Sequence, residues 1–183
     1  MRLPTLILVT SALFFLQSCR SSRTAVKTKN EDTKTVSTAK SNIPARVINT
    51  KNISPDVVVD FAVTLIGVKY KYGSAVKEQG FDCSGFITYV FNHFDIAVPR
   101  SSVDFTNAGT NVPLERSRKG DLILFTGSDN STHIVGHMGI ITQNNNGKVK
   151  FIHSASGNGR GVMISDMSTY FVTHFVKVIR IFK

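Results

Sequence analysis

Cys83 is one of two cysteines in the 183-residue chain, and it lies in the glycine-rich segment 80–86, Gly-Phe-Asp-Cys-Ser-Gly-Phe. The other cysteine, Cys19, ends a short hydrophobic leader. A free thiol in an exported protein can oxidise or cross-link, so a single retained thiol indicates that a thiolate is needed. Two histidines in glycine-rich, apolar surroundings follow, His137 and His153. Because a thiol needs a base to accept its proton and a further polar group to orient that base, the pattern predicts nucleophilic catalysis.

The placement of Cys83 at the start of a helix predicts an activated thiol. Apolar residues at positions 86, 87, 90 and 91 share one helical stripe, so the helix is expected to begin at about Asp82 or Cys83. A helix N-terminus carries partial positive charge and unpaired N–H groups. We therefore expect the pKa of Cys83 to be lowered, and we expect the same N–H groups to stabilise an oxyanion.

The two histidines are predicted to meet across a β-hairpin. The segment 144–147, Asn-Asn-Asn-Gly, is a strong turn signal between two apolar runs. Counted from the tip of this turn, His137 lies eight residues before and His153 seven residues after. The two side chains are then close to opposite at one end of the ribbon, where both can face Cys83. This geometry would provide a base and a group that orients it.

The chain after residue 52 predicts one α+β domain. Ser54 can cap a helix with Pro55 at its first position, and Gly67 is a plausible stop. A further short helix is expected from Pro99 to near Gly109. Helices followed by an antiparallel meander argue for the α+β class, with a sheet of about five strands. The five expected strands are residues 121–125, 138–142, 148–153, 162–165 and 175–182.

The N-terminus predicts export and a lipid anchor. Residues 3–16 are mostly apolar, which is shorter than the roughly 20 residues of a membrane-spanning helix and typical of a signal peptide. Residues 16–19, Leu-Gln-Ser-Cys, resemble a bacterial lipobox, which implies that Cys19 is acylated and holds the protein on a membrane. An ordinary leader with a chance cysteine is the alternative. The expected organisation is a signal peptide at 1–18, lipidated Cys19 with a flexible basic tether to 51, and a peptidase domain at 52–183.

The positive charge of the chain is concentrated in the tether. Residues 20–51 contain eight Lys or Arg and two acidic residues, which accounts for six of the formal ten net positive charges. The tether has almost no large apolar residues and no aromatic ones, so it cannot fold alone. A nucleic-acid surface would need a basic face with interleaved aromatics on the folded part. Nucleic-acid binding is therefore not expected.

Four segments in this order resemble the motifs of the NlpC family of cell-wall cysteine peptidases: residues 81–86, 120–125, 137–140 and 151–156. The resemblance runs from about Val57 to Phe182. It implies a papain-like α+β fold and hydrolysis of amide bonds in the stem peptides or cross-links of peptidoglycan. A lipid-anchored single domain is similar to the small murein endopeptidase lipoproteins of Gram-negative bacteria. This implies a place in the cell envelope, at the outer membrane and facing the periplasm, and we expect a monomer.

The resemblance also implies a role for each site residue. Cys83 would be the nucleophile, His137 the general base, and His153 the polar residue that orients His137. Tyr70 would help to hold the oxyanion beside the backbone N–H of Cys83. No metal or cofactor is required for this chemistry. Four further residues match positions that line the substrate groove: Asp82, Ser84, Arg100 and Ser101.

Some features depart from the family pattern or fit other chemistry. Ser74 stands where the family usually has a second glycine. Phe105 stands near a position where the family often has glutamine, and a polar insertion spans 126–135. These changes concern substrate specificity more than chemistry.

Two other functions remain open, a non-catalytic wall-binding or scaffold lipoprotein and an acyltransferase. A zinc site from Cys83, His133 and His137 has no compact ligand spacing to support it. We interpret His93, His133 and His174 as structural or solvent-facing.

Overall fold

The fold is α+β, as the sequence predicts, and the computed structural model describes residues 47–157 and 160–183. The predicted signal peptide, the lipidation site Cys19 and most of the tether lie outside these residues. The helices are α1 (Pro55–Val63), α2 (Cys83–Asn92) and α3 (Thr169–His174). The strands are β1 (Ala75–Val76), β2 (Gly80–Phe81), β3 (Thr110–Val112), β4 (Leu122–Thr126), β5 (Val135–Asn145), β6 (Lys148–Ser154), β7 (Val162–Asp166) and β8 (Phe175–Arg180).

The main sheet has six antiparallel strands in the order β3-β8-β4-β5-β6-β7, and β1 and β2 form a separate two-stranded ribbon. The prediction of about five strands is wrong by one, since it lacked β3. This strand has three residues and pairs at the sheet edge with the C-terminal β8. A strand of that length has too few residues for an alternating pattern, so only its distant partner defines it.

Local sequence signals set the boundaries of the first two helices. The Ser54 side chain accepts a hydrogen bond from the Asp56 N–H at 3.2 Å, and Pro55 occupies the first turn of α1. This helix ends at Val63, four residues before the predicted stop at Gly67, because the chain continues as turns. Asp82 caps α2, which therefore begins at Cys83 as expected.

The predicted helix from Pro99 to Gly109 is largely wrong. Only Ser102–Phe105 form a single 3₁₀ turn, and its capping residue Ser101 makes no side-chain capping bond. Phe105 is fully buried in the core, which explains why an apolar residue stands where the family often has glutamine. Helix α3 was also missed, because its six residues are too short to show helical periodicity.

The sheet separates two hydrophobic clusters. Alternate residues of β4 point to opposite faces, so Leu122 and Leu124 join the cluster packed under α1 and α2. Ile123 and Phe125 join the cluster on the other face, against which Phe171 of α3 packs. Every residue of β4 is buried, which explains the unbroken apolar run Leu122–Phe125 before Thr126. In the part of the chain described, no helix is long and apolar enough to cross a membrane.

Candidate active site

Cys83 is the first residue of α2, and its thiol lies against the edge of the main sheet. The Cys83 S–H donates a long hydrogen bond of 3.7 Å to the backbone carbonyl of Gly136 in β5, the residue before His137. A side chain at Gly85 would overlap the backbone carbonyl oxygen of Ser74, so only glycine lets the first turn pack this closely on the preceding loop. The helix start is therefore held at the strand that carries His137.

The hairpin turn that joins β5 and β6 forms as the sequence predicts. Asn146 and Gly147 both have positive φ, at 52° and 87°, which is typical of the two-residue turn in a tight hairpin. A bulge between Ile141 and Gln143 shifts the pairing of the two strands by one residue. The shift changes the expected register at the far end of the ribbon.

Continued past the Ile140–Ile152 pair, this register puts His153 opposite Gly139. His153 is therefore diagonal to His137 across the two strands and does not lie directly opposite His137. The two imidazoles nevertheless meet, because His137 Nε2 and His153 Nδ1 are 2.8 Å apart. Gly139 provides the room: a Cβ at this position would lie 2.8 Å from the Ile152 carbonyl oxygen and 3.2 Å from the His153 Cβ. The predicted histidine pair is therefore present.

Ser165 extends the histidine pair and was missed by the sequence analysis. Its hydroxyl lies 2.9 Å from His153 Nε2, so both ring nitrogens of His153 have partners. Ser165 is in β7, which pairs with β6. A serine in a short amphipathic strand has no sequence signal of its own, and only the pairing of β7 with β6 places it beside His153.

The predicted catalytic residues line one cavity of about 440 Å³. Its wall includes Cys83, His137 and His153, together with Tyr70, the residue expected to help with the oxyanion. Helix α3 closes one side, and its His174 lines the same cavity. His174 Nδ1 lies 2.8 Å from the Tyr170 carbonyl within its own helix, which agrees with the interpretation of this histidine as structural, although the sequence did not predict its place on the cavity wall.

Three of the predicted groove residues instead form a network beside Cys83. Asp82 Oδ1 accepts hydrogen bonds from the Gly85 N–H at 2.5 Å and the Ser84 hydroxyl at 3.2 Å. Arg100 donates to Asp82 Oδ2 at 2.7 Å and to the Ser84 hydroxyl at 3.0 Å. Neither these three residues nor the exposed Ser101 line the cavity that contains the thiol. Their contact with substrate stays a prediction.

The expected lowering of the Cys83 pKa is contradicted. Burial of the thiol and the negative charge of Asp82 raise the pKa of Cys83 above its ordinary value of 9.0. The backbone N–H groups of Ser84, Met138 and Cys83 act in the lowering direction, and they are outweighed. The helix N-terminus therefore does favour the thiolate, but not enough to offset desolvation and the carboxylate that caps the same helix.

Both site histidines are held in the neutral form. Burial lowers the pKa of His137 to about 4. Burial, followed by the influence of His137 and Arg160, lowers the pKa of His153 to about 3. The free site at neutral pH is thus a thiol next to neutral imidazoles.

Two other histidines, His93 and His133, do not line the cavity. The His93 ring stacks on Phe61 with centroids 3.8 Å apart, and His133 is exposed in the loop of the insertion. No group of three potential metal ligands occurs within residues 47–157 and 160–183.

The insertion at 126–135 closes on a pair of glycines beside the cavity. A Cβ on Gly136 would lie 2.6 Å from the Gly127 Cα, so the two ends of the loop can approach this closely only because residue 136 is glycine. Thr126, Gly127 and Ser128 line the cavity, whereas residues 129–134 are exposed. The insertion thus forms part of one wall.

Comparison with known protein families gives a match over most of the folded part of the chain. The sequence model of the NlpC/P60 family matches residues 67–180. Murein DD-endopeptidase MepS/Murein LD-carboxypeptidase of Escherichia coli K12 is 30% identical over 159 residues, which cover 84% of this chain and 78% of that protein. Gamma-DL-glutamyl hydrolase of Bacillus subtilis is 31% identical over 128 residues, and the chain spans only 30% of its length.

Solved structures show the same fold. A Staphylococcus aureus Mu50 protein, described as similar to lipoprotein, NLP/P60 family, superposes with a TM-score of 0.59 at 30% sequence identity. The match covers 70% of this chain and 41% of that chain.

Proposed function

Since the chain belongs to the NlpC/P60 family, we propose that it is a peptidoglycan endopeptidase in which the Cys83 thiol attacks amide bonds of murein stem peptides or cross-links. The observation that supports this proposal most directly is the placement of Cys83, His137 and His153 on the wall of one cavity. A surface that only binds the wall has no need for a thiol, a base and an orienting group together.

The hydrogen bonds define how the proton would move. His137 Nε2 faces His153, so Nδ1 is the nitrogen left to accept the Cys83 proton. Neutral His137 then carries its proton on Nε2 and donates it to His153 Nδ1. His153 in turn carries its proton on Nε2 and donates it to the Ser165 hydroxyl. A single tautomer of each ring satisfies this series of hydrogen bonds, and for His137 it is the tautomer that general-base catalysis requires.

The reaction has two halves. As Cys83 Sγ bonds to the carbonyl carbon, its proton passes to His137 Nδ1. Collapse of the tetrahedral intermediate breaks the C–N bond, the amine leaves with the proton from His137, and a thioester remains on Cys83. Water then loses a proton to His137 and attacks the thioester, which releases the new carboxylic acid and restores the thiol. No group outside the chain and water is consumed.

The negative charge on the carbonyl oxygen needs donors near the thiol. Cys83 opens α2, so its N–H group has no carbonyl of the same helix to bind. Tyr70 lines the cavity with Cys83 and is the second donor that we assign. Burial raises the pKa of Tyr70, followed by the influence of Cys83, so its hydroxyl keeps its proton at neutral pH.

Release of fragments from purified sacculi tests the enzymatic proposal. We expect the wild-type domain to release soluble muropeptides, and the Cys83→Ala and His137→Ala variants to release none above background. His133→Ala is the matched control, since this histidine is exposed and does not line the cavity, and it should act like wild type. Equal release by wild type and Cys83→Ala would refute the proposal and favour a scaffold. Mass spectrometry of the products identifies the scissile bond, and transfer products formed with added amines would indicate an acyltransferase.

We also propose that the domain is a monomer attached through acylated Cys19 and a basic tether to a bacterial membrane, at the periplasmic face of the outer membrane. The leader and the segment at 16–19 support this proposal. Cys19→Ser should move the protein from the membrane fraction to the soluble fraction without loss of activity on isolated sacculi. If the Cys19→Ser variant stayed in the membrane fraction to the same extent as wild type, the proposed anchor at Cys19 would be contradicted. Light scattering of the soluble domain measures its oligomeric state, and a dimer would contradict the proposed monomer.

A further inference from the structure

The cavity beside Cys83 is lined by one guanidinium group and, among the residues described, by no Asp or Glu. We propose that Arg160 binds a carboxylate of the substrate peptide, which makes this side of the cavity a subsite for an anionic part of the stem. This inference rests on the proposed function, since it identifies a substrate group for the same site.

The backbone of Arg160 is fixed next to the catalytic residues. Its N–H donates to the Gly157 carbonyl, and its own carbonyl accepts from the Tyr70 N–H, each at 3.0 Å. Through the second bond Arg160 is joined to Tyr70, which we assign as a hydrogen-bond donor to the oxyanion. The charge of Arg160 also contributes to the lowered pKa of His153. The guanidinium therefore acts electrostatically on the site without belonging to the catalytic hydrogen-bond chain.

The Arg160 side chain is exposed and available, unlike two other arginines of the domain. Arg100 is paired with Asp82, and Arg180 with Asp121, both at 2.7 Å. Within 47–157 and 160–183, no carboxylate lies within salt-bridge distance of Arg160. An unpaired guanidinium on the wall of a nucleophile's cavity is suited to an anionic ligand.

Murein stem peptides provide the matching chemistry. A γ-linked glutamate leaves its α-carboxylate free, and the stem also ends in a carboxylate. The planar guanidinium can donate two parallel hydrogen bonds to such a group. The side chains of Ser128, Ser156 and Ser168 line the same cavity and can donate further bonds. Since none of the described residues on this wall is acidic, no side chain among them repels a carboxylate, and a carboxylate there is favoured over a neutral amide.

Peptide binding to the inactive Cys83→Ala protein tests the subsite without turnover. The probes are a stem tetrapeptide with free carboxylates and the same peptide with every carboxylate converted to an amide, titrated by calorimetry. We expect the free acid to bind about tenfold more tightly than the amide, as a charge-assisted pair would give. Adding Arg160→Gln should abolish this preference by weakening only the acid, and Arg160→Lys should keep part of it.

Arg118→Gln is the matched control, because this exposed arginine does not line the cavity, and it should leave the preference intact. The proposal would be overturned if the Cys83→Ala protein with its native Arg160 bound the two peptides equally. It would also be overturned if that protein bound neither peptide measurably. Equal weakening of acid and amide by Arg160→Gln would do so as well. If the acid preference is found but wild type releases nothing from sacculi, the proposed hydrolysis fails while the carboxylate subsite stands.

Discussion

Cys83 experiences opposing influences on its protonation, and the structure decides between them. The N–H groups around it favour the thiolate, while burial and the Asp82 carboxylate disfavour it. The same carboxylate caps α2 and binds Arg100, so it cannot be removed without a structural consequence. The Cys83 thiol is thus mostly protonated at neutral pH in the free domain.

Thiol reactivity measures this balance. Because the pKa of Cys83 is raised above 9.0, the free domain should hold less than about 1% thiolate at pH 7, and alkylation by iodoacetamide should accelerate about tenfold per pH unit up to pH 9. Asp82→Asn keeps a capping oxygen but removes the negative charge, so the pKa should fall and alkylation at pH 7.5 should rise several-fold. Asp95→Asn, beyond the other end of α2, is the control and should not change the rate. Alkylation of wild type that is already pH-independent at pH 7 would contradict this assignment.

Ser165 is expected to act on catalysis through His153. Ser165→Ala removes the acceptor that fixes the tautomer of both rings, so kcat should fall by about three- to tenfold, the value of one hydrogen bond, with KM unchanged. Ser165→Thr keeps a hydroxyl and should restore most of kcat. A parallel loss of stability and kcat in the alanine variant, with no rescue by threonine, would indicate a purely structural role.

At the scale of secondary structure, the site depends on close approach between backbones at a few glycines. Gly85 lets the first turn of α2 pack on the Ser74 carbonyl, and Gly139 gives His153 its space. The bulge in β5 then sets which residues of the hairpin lie beside each other. These contacts, rather than helix or strand propensity, determine where the thiol and the imidazoles lie.

A substitution at Gly85 should reverse the usual preference for alanine in helices. Alanine normally stabilises a helix interior relative to glycine by about 1 kcal/mol. At Gly85, the added Cβ would overlap the Ser74 carbonyl oxygen, so Gly85→Ala should lower the free energy of unfolding by about 1–3 kcal/mol. Gly127→Ala is the control, because its Cβ would have only an ordinary contact at 3.8 Å. Urea unfolding of the two variants measures the difference, and a stabilised Gly85→Ala would show that the loop can move away.

At the scale of the whole molecule, two hydrophobic clusters cover the two faces of one sheet. Helix α2 belongs to the first cluster, whereas the histidines extend from the strands toward the second, where Phe171 packs edge-on to His153 at 5.5 Å. The site therefore lies where the two layers meet at the end of the sheet. Burial in this position is what keeps the imidazoles neutral.

Folding stability should decrease in acid because of this burial. His137 and His153 have folded-state pKa values of about 4 and about 3, below the ordinary 6.5, so the unfolded chain binds protons first as the pH falls. The contribution of these histidines to the free energy of unfolding is complete above pH 6.5. It is lost as the pH falls toward 4, by up to about 1.4 kcal/mol per pH unit for each histidine.

Urea unfolding between pH 7.5 and 4.5 measures this slope. His153→Asn should flatten the decline, and His133→Asn should match wild type because His133 is exposed. Equal slopes for all three proteins would show that the histidines do not titrate with folding.

The sequence by itself determined the α+β class, the start of α2 at Cys83 and the β5–β6 turn that brings His137 and His153 together, because these depend on local caps, turns and apolar periods. The tertiary structure alone decided the sixth strand, the role of α3 in the cavity wall, and the proximity of Ser165 and Arg160. Each of these depends on a partner far along the chain. It also decided that the pKa of Cys83 is raised and not lowered, because desolvation of the thiol and the nearby charge of Asp82 act only after the chain has packed.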